Sequence, residues 1–172
     1  MVTKCRHPRR SEDLTSPSTG RIIARCLLRA RARGRCHLLA CCLMPDHLHM
    51  LVSPRIAAGT ERSSVGAPSS GRSLRPLSRF VADWASASAH LMNRALGTTG
   101  PVWQEGFYDH AIRRSERLWD VVDYIHQNPV RRGLAATAEA WSWSSANPEF
   151  SEQTDWDWYV GNRREDPPPT ER

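Results

Sequence analysis

Long hydrophobic runs are absent from this chain of 172 residues, and no stretch of roughly 18 apolar residues could form a membrane-spanning helix. No apolar segment follows the first residues, so we expect no secretory signal, a cytoplasmic location and no membrane partner. The five cysteines are an odd number without a framework spacing, which suits a reducing compartment. Because Cys36, Cys41 and Cys42 lie in an apolar run, the pattern favours buried thiols over a zinc knuckle.

Lysine is almost missing, because Lys4 is the only one among 24 basic residues and the other 23 are arginine. Arginine binds phosphate through paired hydrogen bonds and stacks on bases, so the net charge of +6 favours a nucleic-acid partner. Codon bias can also replace lysine by arginine, and the composition alone therefore leaves the partner open. The charge is uneven, with +8 over residues 1–35, +3 over 36–138 and −5 over 139–172.

The length and composition predict a single domain. Hydrophobic residues make up 40% and charged residues 24%, so the chain can build a core over residues 1–160. Residues 53–76 are rich in glycine, serine and proline, which predicts a mobile surface loop. The proline-rich end, residues 161–172, is expected to be a disordered tail.

Hydrophobic periodicity and turn residues predict the secondary structure. The predicted elements are a helix near 20–33, antiparallel strands at 36–43 and 47–52, a helix from Leu77 to Gly97, a strand from Phe107 to Arg113, and a helix from Ser115 to Asn128 stopped by Pro129. Only residues 1–5 precede a turn-rich stretch, so an N-terminal strand is expected to be short or truncated. The loss of this strand would expose a sheet edge.

The segment His47-Leu48-His49 carries the sharpest chemical pattern. Residues i and i+2 of a strand point to one face, so both imidazoles project together while Leu48 faces the opposite side. Two adjacent imidazoles can bind a divalent cation. A half-exposed strand with two neutral histidines explains the same pattern, and the spacing alone does not decide between them.

Tyr124 and Asn128 form a second pair on the last predicted helix. A separation of four residues places them on the same side, one turn apart, beside an apolar stripe. Tyr124 could simply pack against the core. The alternative is a nucleophilic phenol with the carboxamide oxygen of Asn128 as a cation ligand nearby.

Three segments in chain order carry a family resemblance. They read Leu43-Met-Pro-Asp-His-Leu-His-Met-Leu51, Gly100-Pro-Val-Trp-Gln-Glu-Gly-Phe107 and Tyr124-Ile-His-Gln-Asn-Pro-Val-Arg-Arg-Gly-Leu134, and Trp141-Ser-Trp-Ser-Ser follows them. Together they resemble the HUH single-tyrosine transposases, and most closely the REP-associated tyrosine transposases. The likeness extends from about residue 20 to about residue 145, interrupted by the loop at 53–76.

The resemblance implies an α+β fold, with a small antiparallel sheet of ferredoxin-like or RRM-like type. Helices would cover one face, and the other would carry the histidines with the tyrosine helix beside it. It further implies metal-dependent nicking and joining of single-stranded DNA at hairpins during DNA transposition. His47, His49 and Asn128 would bind Mg2+ or Mn2+, and Tyr124 would form a covalent 5′-phosphotyrosine intermediate.

The family also binds a DNA hairpin and an adjacent single strand. The candidate DNA contacts in this chain are Arg113, Arg114, Arg117, Arg131 and Arg132, with Trp103 and Phe107 as base-stacking residues. The same arginines could be solvated charges, and tryptophan usually lies in a core. A monomer and a homodimer both fit the family. Two other functions are a catalytically silent, hairpin-specific DNA-binding protein and a small metallohydrolase without nucleic acid, which the arginine content disfavours.

Overall fold

The computed structural model describes most of the chain outside the predicted loop and tail. The described residues are 1–34, 36–55, 76–113, 117–151, 153–157 and 159. Most of the predicted loop, the predicted tail at 161–172, Arg114 and Ser115 therefore lie outside the described residues. Within these ranges no helix is long and apolar enough to cross a membrane.

A four-stranded antiparallel sheet forms the centre of the fold, with the strand order β2-β3-β1-β4. The strands are β1 (Val2–Cys5), β2 (Cys36–Leu43), β3 (His47–Pro54) and β4 (Tyr108–Asp109). The predicted antiparallel pairing of β2 and β3 is confirmed, with a bulge between Leu38 and Ala40. With the helices described next, the predicted α+β class is confirmed.

The short N-terminal strand occupies an inner position in this sheet. β1 pairs with β3 on one side, where Thr3 lies opposite His49, and with β4 on the other, where Thr3 lies opposite Tyr108. The expectation of a short N-terminal strand is confirmed, because β1 has four residues, and the strand is present, so its place in the sheet is not left open. β1 joins the two halves of the sheet.

The third predicted strand is much shorter than expected. The alternation from Phe107 to Arg113 predicted seven residues, whereas β4 contains only Tyr108 and Asp109. Its partner sets this limit, because only Val2 and Thr3 of β1 pair with it.

Helices lie on both faces of the sheet. The first face is covered by α1 (Pro17–Ala32) and α2 (Pro76–Leu96), and the second carries α3 (Leu118–Arg131). We call the apolar layer under α1 and α2 the first core; it includes Ile23, Leu27, Leu48, Met50, Phe80 and Trp84. The second core lies under α3 and includes Leu39, Leu51, Leu118, Val122 and Ile125.

Helix α3 continues past the residue where proline was expected to stop it. Pro129 lies inside the helix, which ends at Arg131. The chain accommodates Pro129 because the closing hydrogen bonds form around and after it: Arg132 N–H donates to the Asn128 carbonyl and Gly133 N–H to the Val130 carbonyl.

The C-terminal segment covers the outer edge of β2. The amides of Leu43 and Ser145 donate to the carbonyls of Trp143 and Cys41, at 2.8 and 2.9 Å. Farther along, Asp155 N–H donates to the Leu38 carbonyl at 2.7 Å, past the short helix α4 (Pro148–Ser151). These bonds satisfy backbone groups that an open edge would expose.

The cysteines behave as buried thiols. Cys26, Cys36, Cys41 and Cys42 are buried and Cys5 is half-buried, and all five are free. Burial raises the pKa of Cys36 to about 11 and that of Cys42 to about 12. These two thiols therefore stay protonated at neutral pH and are poor nucleophiles.

Candidate metal and tyrosine site

The two histidines of β3 meet on the second face of the sheet. His47 and His49 are both buried, and their Nε2 atoms are 3.0 Å apart. Their rings are nearly perpendicular, with centroids 4.5 Å apart. Leu48 and Met50 point into the first core, as the alternation predicts.

Each histidine has an oxygen atom next to its other ring nitrogen. Nδ1 of His47 lies 2.6 Å from Oδ1 of Asp46, and Nδ1 of His49 lies 2.9 Å from Oγ1 of Thr3. An ionised carboxylate only accepts, so Nδ1 of His47 donates to Asp46. When both rings are neutral and Thr3 accepts from Nδ1 of His49, both Nε2 lone pairs point into the same space, as in metal sites where outer partners orient the ligands.

Sequence reasoning assigned no role to Asp46 or Thr3. Asp46 immediately precedes His47, so its proximity could have been inferred. Thr3 lies 46 residues from His49 in the chain and reaches it only through the pairing of β1 with β3.

The electrostatic environment keeps His49 neutral. Burial, together with the positive charges of His47 and Arg132, lowers the pKa of His49 to about 4. Burial opposes the ionisation of Asp46, but the hydrogen bond from His47 and the charges of His47 and Arg132 hold the pKa of Asp46 below its ordinary value. A neutral imidazole is the form that binds a cation.

The donor set fits a small divalent cation. Two ligands at right angles and about 2.1 Å from an octahedral cation lie about 3.0 Å apart, as the two Nε2 atoms do. In the described part of the chain, no group of three His, Cys, Asp or Glu residues could hold a metal. Further ligands could come from an amide, from water or from the substrate.

Asn128 can supply the amide oxygen. Its side chain is buried, and its Nδ2 donates to the Tyr124 carbonyl at 2.6 Å. This bond occupies the nitrogen end of the carboxamide and leaves the oxygen as the possible ligand. That Asn128 is a ligand stays a prediction.

Helix α3 places Tyr124 beside the histidines. The ring centroids of Tyr124 and His49 are 5.9 Å apart, and the tyrosine is 40% exposed. Val122 and Ile125 anchor this part of α3 in the second core. The phenol is therefore accessible to a large substrate beside a candidate cation site.

Two of the candidate arginines lie at this site. The guanidinium carbon of Arg131 is 5.3 Å from the ring centroid of Tyr124, and Nη1 of Arg132 is 3.4 Å from Oδ1 of Asp46. Arg117 precedes the first turn of α3, roughly 10 Å along the helix axis from Tyr124. Arg113 lines a cavity near the start of α3, and Arg114 lies outside the described residues.

The structure does not support Trp103 as a base-stacking residue, whereas a stacking role for Phe107 stays a prediction. Trp103 is buried against Trp84, with ring centroids 4.8 Å apart, and its Nε1 donates to Ser88 Oγ. Phe107 is half-buried against the first core. The expectation for Trp103 is wrong because α2 provides both a stacking partner and a hydrogen-bond acceptor for its ring.

The only lysine is also turned inward. Lys4 is buried, and its Nζ donates to the carbonyls of Gln104 and Gly106. Burial lowers the pKa of Lys4. Lys4 thus binds the 104–106 segment to β1.

A sheet with a buried histidine pair on one face and a tyrosine helix beside it is the arrangement that the resemblance to the HUH single-tyrosine transposases predicts. No family model matches the chain. A Haemophilus influenzae protein named "Putative REP-associated tyrosine transposase" is 26% identical over 108 residues, which span 62% of this chain and 57% of that protein. The REP-associated tyrosine transposase of Escherichia coli is 39% identical over 44 residues, which span 26% of this chain and 27% of that protein.

The fold is also that of a solved REP-associated tyrosine transposase, whose structure was determined bound to a REP hairpin. The likeness covers 90% of this chain and 79% of that one, with a TM-score of 0.62 and 20% sequence identity. The matched segments span less than two thirds of the length of both relatives found by sequence. Sequence and fold together confirm the predicted likeness to the HUH tyrosine transposases, and in particular to the REP-associated tyrosine transposases.

Proposed function

We propose that this chain nicks and rejoins single-stranded DNA beside a hairpin, with Tyr124 as the nucleophile. One observation carries the proposal: the exposed ring of Tyr124 lies 5.9 Å from His49, whose Nε2 faces that of His47 at 3.0 Å. A phenol that only packed against the core would not need to be 40% exposed beside two buried imidazoles.

The reaction balances without an external energy source. The phenol loses its proton, its oxygen forms a bond to phosphorus, and the bond from phosphorus to the 3′ oxygen breaks. The 3′ oxygen takes up a proton and leaves as a hydroxyl, and the 5′ phosphate stays on Tyr124 as a diester. Because this diester keeps the energy of the broken bond, a 3′ hydroxyl can attack it and restore the strand.

His47, His49 and Asn128 are the residues that would hold Mg2+ or Mn2+. A bound cation would polarise the scissile phosphate and neutralise the charge that develops on it. Asp46 and Thr3 orient the imidazoles for this role.

Positive charge near the tyrosine suits a phosphate substrate. Arg131 and Arg132 follow Tyr124 on the same helix end, close enough to contact phosphates on either side of the cleaved bond. The solved REP-associated relative was bound to a REP hairpin, which supports hairpin DNA as the substrate here. Arg113 and Arg117 could contact only more distant parts of the DNA.

Covalent trapping tests the proposal. Purified protein, a hairpin-forming single-stranded oligonucleotide from its own locus, and Mg2+ or Mn2+ should give a protein–DNA adduct that survives SDS. Tyr124→Phe keeps the ring but removes the attacking oxygen, so it should bind the hairpin and form no adduct. EDTA should also abolish the adduct of the wild-type protein.

The same assay separates the alternatives. An equal yield of adduct from Tyr124→Phe would show that another residue is the nucleophile. Tight hairpin binding without an adduct under either metal would identify a catalytically silent DNA-binding protein.

A further inference from the structure

Among the Phe, Trp and Tyr side chains of the described residues, two are exposed, and the proposed reaction uses only one of them. Tyr124 is 40% exposed and Tyr108 is 70% exposed. The other Phe, Trp and Tyr side chains in the described ranges are buried or half-buried. Tyr108 therefore presents an apolar ring to solvent without a role in the mechanism.

The strand register places Tyr108 on the same face of the sheet as the histidines. Tyr108 in β4 lies directly opposite Thr3 in β1, and Thr3 lies directly opposite His49 in β3. Residues directly opposite one another in antiparallel strands project to the same side. Tyr108, Thr3 and His49 thus form one row across three strands.

The row is short enough for one bound strand to cover. Two strand spacings separate Tyr108 from His49, which is about 10 Å between backbones. Even at the compact rise of about 3.4 Å per nucleotide found in a duplex, this distance corresponds to no more than about three nucleotides.

Among the described residues, the helices leave this half of the second face partly exposed. Helix α3 packs on β2 and β3 through residues such as Leu39 and Leu51. In β1, the two residues that point to this face, Thr3 and Cys5, stay half-buried. Lys4 holds the segment that leads into β4, so the backbone that carries Tyr108 is fixed.

We propose that Tyr108 is a base-stacking residue for the single-stranded DNA that runs from the hairpin across the histidine pair. The inference depends on the proposed function, because it assigns a further contact to the same substrate. Aromatic side chains on open antiparallel sheets stack bases in several single-strand binding folds, and such stacking tolerates any sequence because every base has a π-face. Tyr108 takes the role that the sequence had suggested for Trp103.

Binding measurements on the full chain test this role. The probes are fluorescein-labelled DNA hairpins from the protein's own locus, either blunt or extended by a short single-stranded thymidine arm on the 5′ or the 3′ side. All proteins carry Tyr124→Phe to prevent cleavage, and the buffer contains Mg2+. Tyr108→Ala should weaken binding of an armed hairpin by about 5- to 150-fold and leave the blunt hairpin unchanged.

Two controls separate the ring from other effects. Tyr108→Phe keeps the ring and should bind the armed hairpin as tightly as the parent. Leu96→Ala removes an exposed apolar side chain from the end of α2, on the other face of the sheet, and should change nothing. Matching thermal melting curves should confirm that all variants are folded.

Each outcome of these measurements supports or overturns the stacking role of Tyr108. Unchanged binding by Tyr108→Ala overturns the stacking role, while adduct formation by the wild-type protein would leave the proposed function intact. Equal losses in Tyr108→Ala and Tyr108→Phe also overturn it, since the hydroxyl group would then be responsible. If the parent binds none of the hairpins and the wild type forms no adduct, both proposals fail.

Discussion

The two faces of β3 are buried to nearly the same extent but consist of different chemical groups. Leu48 and Met50 are 1% and 0% exposed and pack among apolar side chains, whereas His47 and His49 are 7% and 6% exposed. Burial alone therefore does not distinguish the structural face from the candidate functional face. The difference lies in the polar atoms that the second face must satisfy.

Those polar atoms are only partly satisfied by the protein. The Nδ1 atoms have partners in Asp46 and Thr3, but the two Nε2 atoms face each other, and at most one hydrogen bond can form between them. A pair of apolar residues would avoid the cost of burying these nitrogens. An arrangement that accepts this cost is typical of a site that binds a ligand.

Neighbouring substitutions on β3 should separate the two faces most clearly. His49→Ala should reduce adduct formation by more than about 100-fold, because it removes a proposed cation ligand beside Tyr124. Leu48→Ala should instead lower the free energy of unfolding by about 2–5 kcal/mol, through the cavity that it leaves in the first core. Single-turnover trapping and urea denaturation measure the two quantities on the same samples.

Each substitution should cause only its own loss: His49→Ala the loss of adduct, and Leu48→Ala the loss of stability. A full yield of adduct from His49→Ala would remove the metal role of the second face. Correctly folded Leu48→Ala protein, assayed well below its unfolding midpoint, serves as the control and should keep its activity.

A smaller effect is expected at Thr3, which touches the site only through His49. Thr3→Val keeps the shape but removes the oxygen next to Nδ1, so the apparent affinity for Mn2+ should fall by about 10- to 100-fold. Titration of adduct formation with Mn2+ measures this change. At saturating Mn2+ the adduct yield should recover, and Thr3→Ser should bind Mn2+ like the wild-type protein. A loss that no Mn2+ concentration restores would mean that Thr3 acts on the fold and not on the ligand.

The sequence predicts the positions of the helices and strands of this fold better than it predicts which strands pair with one another. Apolar spacing predicts β2, β3, α1 and α2 almost to their observed ends, because each pattern depends on nearby residues. The length of β4 and the inner position of β1 depend on strand pairing, which leaves no local signal. For the same reason the sequence pointed to His49 and Tyr124 but not to Thr3.

The burial of aromatic and basic residues is equally hard to predict from the local sequence. Trp103 is buried because Trp84 and Ser88 of α2 receive its ring, and Lys4 is buried because the carbonyls of Gln104 and Gly106 lie beside it. Neither environment can be seen in a sequence window. Counting Lys4 with the positive charge that favours DNA overestimates the charge available on the surface.

The smallest expected effect concerns the C-terminal segment that covers β2, away from both histidines. Asp155 accepts hydrogen bonds from Arg31 Nε and Nη2, at 2.9 and 2.7 Å, and from Leu38 N–H. Burial opposes its ionisation, but the bonds from Arg31 and Leu38 hold the pKa of Asp155 below its ordinary value of 3.8. A carboxylate with a depressed pKa stabilises the folded state fully above pH 3.8, and this contribution is lost as the pH falls through the folded pKa.

Asp155→Asn should therefore lower the free energy of unfolding by about 1–2 kcal/mol at pH 7, and the difference from wild type should shrink below pH 3.8. Urea denaturation of both proteins at pH 7, 5 and about 3 measures it, and the comparison cancels the titration of groups that do not interact with Asp155, whereas His37, 4.0 Å from the carboxylate, is not cancelled. Because the histidine site is distant, adduct formation at pH 7 should not change. A difference that stays constant down to pH 3 would show that the loss comes from packing and not from the carboxylate charge. A loss of adduct at pH 7 would show instead that the segment over β2 supports the histidine site on the second face. The separation between a structural face and a functional face would then be weaker than their side chains suggest.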